Sequence, residues 1–553
     1  MLELRLLSSL AKVFYRDAPP ERLEKEWLSA LSGERVSLQA AYKQNVGSGY
    51  IWGCLKVEAP EGVDVTVRRV RYMPGNIPPR YRKDDGYLRT DDGLYPDLLE
   101  PFEKGNEWVH LLSGTWQSIW IDLQLSASAK PGKYPIIVQI SSKEGEVLNR
   151  AEAILEIIGE DLPPLAIPRI SWFHTDCLAQ YYNEDVFSEK HWEIIENFAA
   201  YSVQHGINSL LTPIHTPPLD MEVGGERLTT QLLDVTVTDN GYKFGFEKLE
   251  RWVKMCIRIG VEYIEMAHLF TQWGAKHAPK IMGTKDGKYI RLFGWETDAT
   301  GDEYSAYLNH MLPALITKLK EWGIAEKVIF HISDEPRLEH LENYKAARAI
   351  VNPLLEGFKI VDALTDYNFY KEGALSVPIS SVEHITPFIE KKVPELWCYY
   401  CSAESYKVPN HFFMQPSYRN RILGVLLYKY NIAGFLHWGF NFYNCVYSVY
   451  PINPFRITDA DGSFPSGDSF MVYPGADGKP LASLRLLVAQ EGFNDLRALR
   501  LLEKKIGREA VLDLIDENLA EPITFSSFPQ NEEYILFLRQ KVNKLIRDLK
   551  ETL

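Results

Sequence analysis

Two adjacent carboxylates followed by a proline, Asp334-Glu335-Pro336, close a run of apolar β-formers that begins at Lys327. Val328, Ile329, Phe330 and Ile332 have the density expected of a short strand covered on both faces. Pro336 has no N–H to continue a ladder, so the strand is predicted to stop there. Paired acids at the tip of a buried strand suit general acid–base work, in which one group holds a proton and its neighbour a charge. The same three residues also suit a turn, with Asp334 as a cap and Glu335 solvated. The choice between these readings depends on what surrounds them.

Other chemistry-bearing residues recur at the ends of predicted strands. His174 and Asp176 follow the first, His268 the third, and Trp397 and Tyr399 occupy the seventh. Trp438, Asn441 and Tyr443 follow the eighth, and Asp468 lies in the loop beyond. Aromatic rings stack on the C–H faces of sugars while short polar groups take the hydroxyls, so this set suits carbohydrate. His174, Asp176 and His268 lack the H-x-x-x-H or E-x-x-H spacing of a metal site, and no metal or other cofactor is expected. Cys398 and Cys401 form a C-x-x-C without a second pair, a weak metal or redox signal. There is no G-x-S-x-G elbow for a serine nucleophile.

The elements that must position these residues have two rhythms. Up to about residue 165 the chain alternates with period two, as in 66–72, 118–125, 133–140 and 151–158, with turn signals between. That pattern predicts an antiparallel β-sandwich. Glu160-Asp-Leu-Pro-Pro-Leu165 reads as a linker. Strands then alternate with helices, beginning near Ile170, Gly206, Val261, Lys327, Phe358, Ala374, Glu395 and Ile432. Helical stretches at 191–205, 246–259 and 304–322 separate some of them. Eight such units predict a (β/α)₈ barrel of the TIM type over 166–500, with active groups at the strand C-termini. A doubly wound sheet is the alternative, but no G-x-G-x-x-G or P-loop motif supports it. Residues 501–553 read as a helical C-terminal appendage.

Composition bounds the function. The 553 residues carry a net charge of −14 with no basic patch, which argues against nucleic acid as a partner. No apolar run reaches membrane-spanning length, and Glu3, Arg5 and Lys12 interrupt any signal-peptide core. Six cysteines in so long a chain do not form a disulfide framework. A soluble cytoplasmic protein is expected, of oligomeric state that the sequence leaves open.

Several of these motifs, taken in series, resemble glycoside hydrolase family 123. His331-Ile-Ser-Asp334-Glu335-Pro336 is similar to its catalytic strand, and Leu396-Trp397-Cys-Tyr399-Tyr-Cys401 to its tryptophan-x-tyrosine strand. Gly434-Phe-Leu-His-Trp438-Gly-Phe-Asn441-Phe-Tyr443 resembles the last barrel strand, and 466–475 the loop that follows. Arg485 and Glu491-Gly-Phe-Asn-Asp495 resemble the start of the closing helix. The resemblance implies a retaining, metal-free exo-β-N-acetylgalactosaminidase. In that family the substrate's own acetamido oxygen attacks the anomeric carbon and forms an oxazolinium intermediate. Asp334 would then hold the acetamido N–H, and Glu335 would be the general acid and later the base. Trp397, Tyr399, Trp438 and Tyr443 would line the sugar pocket, with Tyr399 donating to the acetamido oxygen and Asn441 or Asp468 taking hydroxyls. Two alternatives stay open: a retaining β-glycosidase with Glu383 or Glu404 as protein nucleophile, and a non-catalytic carbohydrate-binding barrel. Neighbouring residues of a regular strand point to opposite faces, so both acids reach one pocket only if the strand end is irregular.

Overall fold

The computed structural model describes residues 1–20, 27–45, 52–103 and 105–551. Two five-stranded sheets occupy the N-terminal region. The first runs in the order Leu2–Ser8, Arg35–Gln44, Gln117–Leu125, Val63–Gly75 and Gly93–Pro101, antiparallel throughout. The second runs Leu28–Ser32, Val147–Asp161, Gly132–Ser141, Trp52–Glu58 and Trp108–His110. Its first pair is parallel, Leu155 opposite Leu28, and the rest are antiparallel. Period-two patterning buries one face of each sheet: Ile136, Val138 and Ile140 point inward to meet Leu38, Ile119, Ile121 and Leu123 of the first sheet in one apolar core.

Eight parallel strands then form a closed barrel. They are Arg169–Ser171, Ser209–Thr212, Tyr263–Met266, Val328–Phe330, Lys359–Leu364, Val377–Ser381, Trp397–Tyr400 and Gly434–His437. Pairing of Ile170 with Leu436 closes the ring. Each strand begins within three residues of its sequence expectation. The burial of both faces, which made the runs legible, is what a barrel wall requires. Helices Glu189–Gln204, Glu247–Ile259, Asp302–Glu321, Leu341–Val351, Ser417–Lys429 and Leu484–Ile506 cover the outside, with shorter turns after the fifth and sixth strands.

Inside the barrel, Ile170, Leu211, Ile329, Val361, Ile379, Trp397 and Leu436 pack together. Trp397 fits because residue 434 is glycine: a Cβ there would lie 2.2 Å from the indole. Two hairpins in the segments after the second and third strands, Asp234–Thr238 with Gly241–Gly245 and Ile281–Lys285 with Lys288–Phe293, join into a four-stranded sheet that the sequence reading did not foresee. The C-terminal helix Glu532–Glu551 is more than an appendage, since Arg539 and Asn543 reach Glu34 and Ser29 in the N-terminal sheets. No described helix is long and apolar enough to cross a membrane.

Candidate active site

The fourth strand's ladder ends at Phe330, opposite Ile360. Beyond it the backbone is held by the extension of the third strand: Leu269 and Phe270 donate to the carbonyls of His331 and Ile332, and Trp273 donates to that of Asp334 at 3.0 Å. Glu335 adopts the left-handed conformation, φ 46°. This irregularity breaks the alternation of a strand and costs a non-glycine residue about 1–3 kcal/mol. The two carboxylates are thereby freed from opposite-face alternation, and each takes a different partner. Asp334 accepts from Gln272 Nε2 at 2.7 Å, on the loop after the third strand. Glu335 accepts from the Tyr399 hydroxyl on the seventh. Burial and the neighbouring charge of Glu335 push the Asp334 carboxyl up to about 8. Tyr399 stays a protonated donor, because burial and Glu335 raise its phenol well above the ordinary value.

Beneath the pair lies a buried ion group. His331 donates through Nε2 to Glu265 at 2.5 Å, and its Nδ1 lies 3.5 Å from Asp362. Burial alone would lower the imidazole, but the two carboxylates outweigh it and raise it to about 10. Asp362 also accepts from the Ile332 amide at 2.9 Å and the Tyr344 hydroxyl at 2.5 Å, which ties the fifth strand to the fourth just below Asp334. Trp172 Nε1 donates to Glu265 at 2.8 Å, and its ring packs edge-on to His268, which stacks on His331. His331 thus places a cation under the acids, which favours the ionised form of Asp334.

The other sequence-predicted residues separate into four groups. Tyr399 stands in the site, although its hydroxyl engages Glu335 instead of standing free for an acetamido oxygen. Trp438 is half-buried on the rim, and its Nε1 donates to Asp468 at 3.0 Å, while Asp468 Oδ1 has no hydrogen-bond partner among the described residues. His174, Asp176, Asn441 and Tyr443 lie in a packed layer behind them. Asp176 forms a two-pronged pair with Arg227 at 2.7 and 2.8 Å, and Arg227 also reaches His174 Nδ1. Asn441 exchanges both amide atoms with the backbone of His174, and the Tyr443 hydroxyl donates to the Val472 carbonyl. Trp397 lies at the barrel floor beneath Tyr399, packed on residue 434. The sequence reading missed Gln272, Glu265 and Trp172. Gln272 and Glu265 are single polar residues without a motif, and Trp172 carried only the weak signal of an aromatic beside the first strand.

The catalytic-domain profile of glycoside hydrolase 123 matches residues 172–502, more than half of the chain and all of this site. The chain belongs to glycoside hydrolase family 123. The structure of a family 123 glycoside hydrolase from Clostridium perfringens, described for glycolipid glycan hydrolysis, shares the fold over 100% of both chains, with a TM-score of 0.75 at 15% identity. An endo-β-1,4-mannanase from Thermotoga petrophila aligns over 61% of this chain and 77% of its own at 12% identity, with a TM-score of 0.33 that bears no further argument. None of the curated proteins matches the sequence.

This family 123 hydrolase therefore cleaves glycosidic bonds, and its remaining acids can be weighed as partners of Glu335. Glu383 is half-buried, with Arg82 3.6 Å away. Glu404 is only 1% exposed; its Oε2 accepts from the Cys401 amide at 2.8 Å, and Ser381 and the Cys401 thiol bond the same carboxyl. Burial and the charge of Glu335 raise Glu404 to about 7. It closes its own loop. Among the described residues two buried groups hold three potential metal ligands each, His268–His331–Asp362 and His411–His437–Asp468. In the first, His331 is already a cation between carboxylates. In the second, Arg485 lies 3.2 Å from His411 and occupies the place of positive charge.

Proposed function

We propose that this glycoside hydrolase removes terminal β-linked N-acetylgalactosamine with retention, the substrate's acetamido oxygen acting as nucleophile. The observation that carries the reading is the division of the pair: Asp334 oriented by Gln272, and Glu335 turned by its left-handed backbone toward Tyr399. A protein nucleophile would call for a second carboxylate about 5–5.5 Å from the acid and facing the anomeric carbon. Glu404 is engaged by its own loop, and Glu383 faces Arg82.

Burial and the neighbouring Glu335 favour the protonated form of the Asp334 carboxyl. An acetamido N–H approaching it is a hydrogen-bond donor, which favours the carboxylate form and displaces that proton. Substrate binding thus leaves Asp334 ionised to stabilise the developing oxazolinium charge, while Glu335 protonates the leaving oxygen. After the aglycone departs, Glu335 takes a proton from water as that water opens the oxazolinium. A glycolipid or glycan carrying the terminal sugar is the expected substrate, in keeping with the glycolipid glycan hydrolysis described for the Clostridium perfringens relative.

The test is hydrolysis of aryl β-glycosides of N-acetylgalactosamine, N-acetylglucosamine, galactose and glucose. Activity is expected on acetamido sugars only, with blockade by a thiazoline analogue. Glu335→Gln should lose about 10²–10⁴-fold in kcat/KM, and Asp334→Asn about 10²–10³-fold. Turnover of plain galactoside by the Asp334→Asn variant would overturn the mechanism. Turnover of N-acetylglucosaminide in preference to the galacto isomer would overturn the sugar.

A further inference from the structure

Three loops meet on the solvent side of the acid pair. Asp220, after the second barrel strand, joins them: its amide donates to Gln272 Oε1 at 2.6 Å, and its carbonyl accepts from Ser448 Oγ at 3.0 Å. Its carboxylate accepts from the amides of Tyr447 and Ser448, in the loop after the eighth strand. This junction carries two exposed aromatic rings. Trp273 is 36% exposed and Tyr447 40%, and they meet edge to face with centroids 6.4 Å apart.

Single exposed aromatics are ordinary on a protein surface. These two differ in what holds them. Trp273, Tyr447 and Ser448 all have left-handed backbones, φ 55°, 58° and 54°. Three such non-glycine residues at one junction cost free energy, and both rings still leave more than a third of their residue surface in water. The Trp273 amide is also fixed to the Asp334 carbonyl. The strained backbones therefore hold flat apolar surface at a set position, tied to Asp334 through the Trp273 amide and open to solvent. With a terminal sugar bound at the acids in the mode proposed above, the leaving group extends toward solvent and within reach of such a surface.

We propose that Trp273 and Tyr447 form a stacking platform for the first sugar ring of the leaving group, a reading that rests on the acetamido-sugar hydrolase proposed above. The C–H face of a pyranose lies against the rings, and the edge-to-face arrangement gives it a floor and a side wall. The platform distinguishes glycan-linked substrates from those with small aglycones, and it is separate from the recognition of the sugar being released.

The experiment compares kcat/KM for methyl N-acetyl-β-galactosaminide with that for a disaccharide in which the same sugar is β-linked to galactose. In the wild type the disaccharide is expected to be the better substrate. In Trp273→Ala and Tyr447→Ala the disaccharide-to-methyl ratio should fall about tenfold, mainly through KM. Trp273→Phe keeps a flat face and should restore most of the ratio, which also controls for folding at position 273. Equal losses on both substrates would overturn the platform, because the rings would then act on the released sugar or on the loop's shape and not on the leaving group. An unchanged ratio in both alanine variants would overturn it as well. A wild type inert on both compounds would remove the acetamido-sugar reading and the platform with it, an outcome distinct from the other two.

Discussion

Asp334 and Glu335 are neighbours in sequence with unlike surroundings, and the difference lies in single contacts. The Gln272 amide donates to Asp334 and favours its ionised form, partly offsetting burial and Glu335. Gln272→Leu removes that donor, so the carboxyl should rise further above about 8. If turnover needs Asp334 ionised, the rising limb of the pH profile of kcat/KM moves to higher pH, and activity at neutral pH falls. An unmoved limb would show that Gln272 does not tune the acid. Stability supplies a second measurement at the same residue. A carboxyl whose folded value is raised keeps its proton in the native state while the unfolded chain loses it. The unfolded state then binds fewer protons, and stability declines as pH rises from about 4 toward about 8. Asp334→Asn cannot ionise, so its melting temperature should exceed that of the wild type near pH 8. The gap should close below about pH 4, as read by thermal melts across that range.

At the scale of elements, the parts legible in the sequence were those whose physics repeats. All eight barrel strands showed because short buried stretches mark their starts, and four of the N-terminal strands, near 66–72, 118–125, 133–140 and 151–158, showed through their alternation. Asp334-Glu335 showed because a strand end is where carboxylates gain access to a pocket. The left-handed turn at Glu335 left no signal, since no glycine or asparagine marks it. His174, Asp176, Asn441 and Tyr443 illustrate the limit of reading by position. All lie near strand ends, yet Arg227, backbone amides and a carbonyl already engage their polar atoms, and only the folded structure reveals which valences stay open. Glycine pairs were equally silent. Helix Ser417–Lys429 packs on helix Leu484–Ile506 so closely that a Cβ on Gly424 would stand 1.7 Å from the Gly492 carbonyl oxygen. Backbone cannot yield as a flexible side chain does. Gly424→Ala should therefore separate the helices and lower stability by about 1–3 kcal/mol or more, measured by denaturant unfolding.

Across the whole molecule, the N-terminal sheets, the barrel's closing helix and the C-terminal helix share one buried charge network. Arg539 on the last helix donates to Glu34 of the sheets at 2.6 Å and to Asp495 of the closing helix at 3.0 Å. Arg421 reaches the same Asp495 at 2.8 Å and Glu491 at 2.9 Å, and Ser9 bonds Glu491 in turn. Two guanidiniums thus serve three acids, one from the N-terminal region and two from the closing helix. Breaking a buried pair from one side costs more than the pair contributes, because the partner is left charged and dry. Arg539→Ala should therefore cost about 3–5 kcal/mol in denaturant unfolding. Adding Glu34→Gln should recover part of that loss, since it removes one of the stranded charges. Additive losses in the double variant would instead mean that Arg539 acts through its packing alone. Because the network lies apart from Asp334 and Glu335, the folded fraction of either variant should keep its kcat, so that the clasp and the chemistry are lost independently.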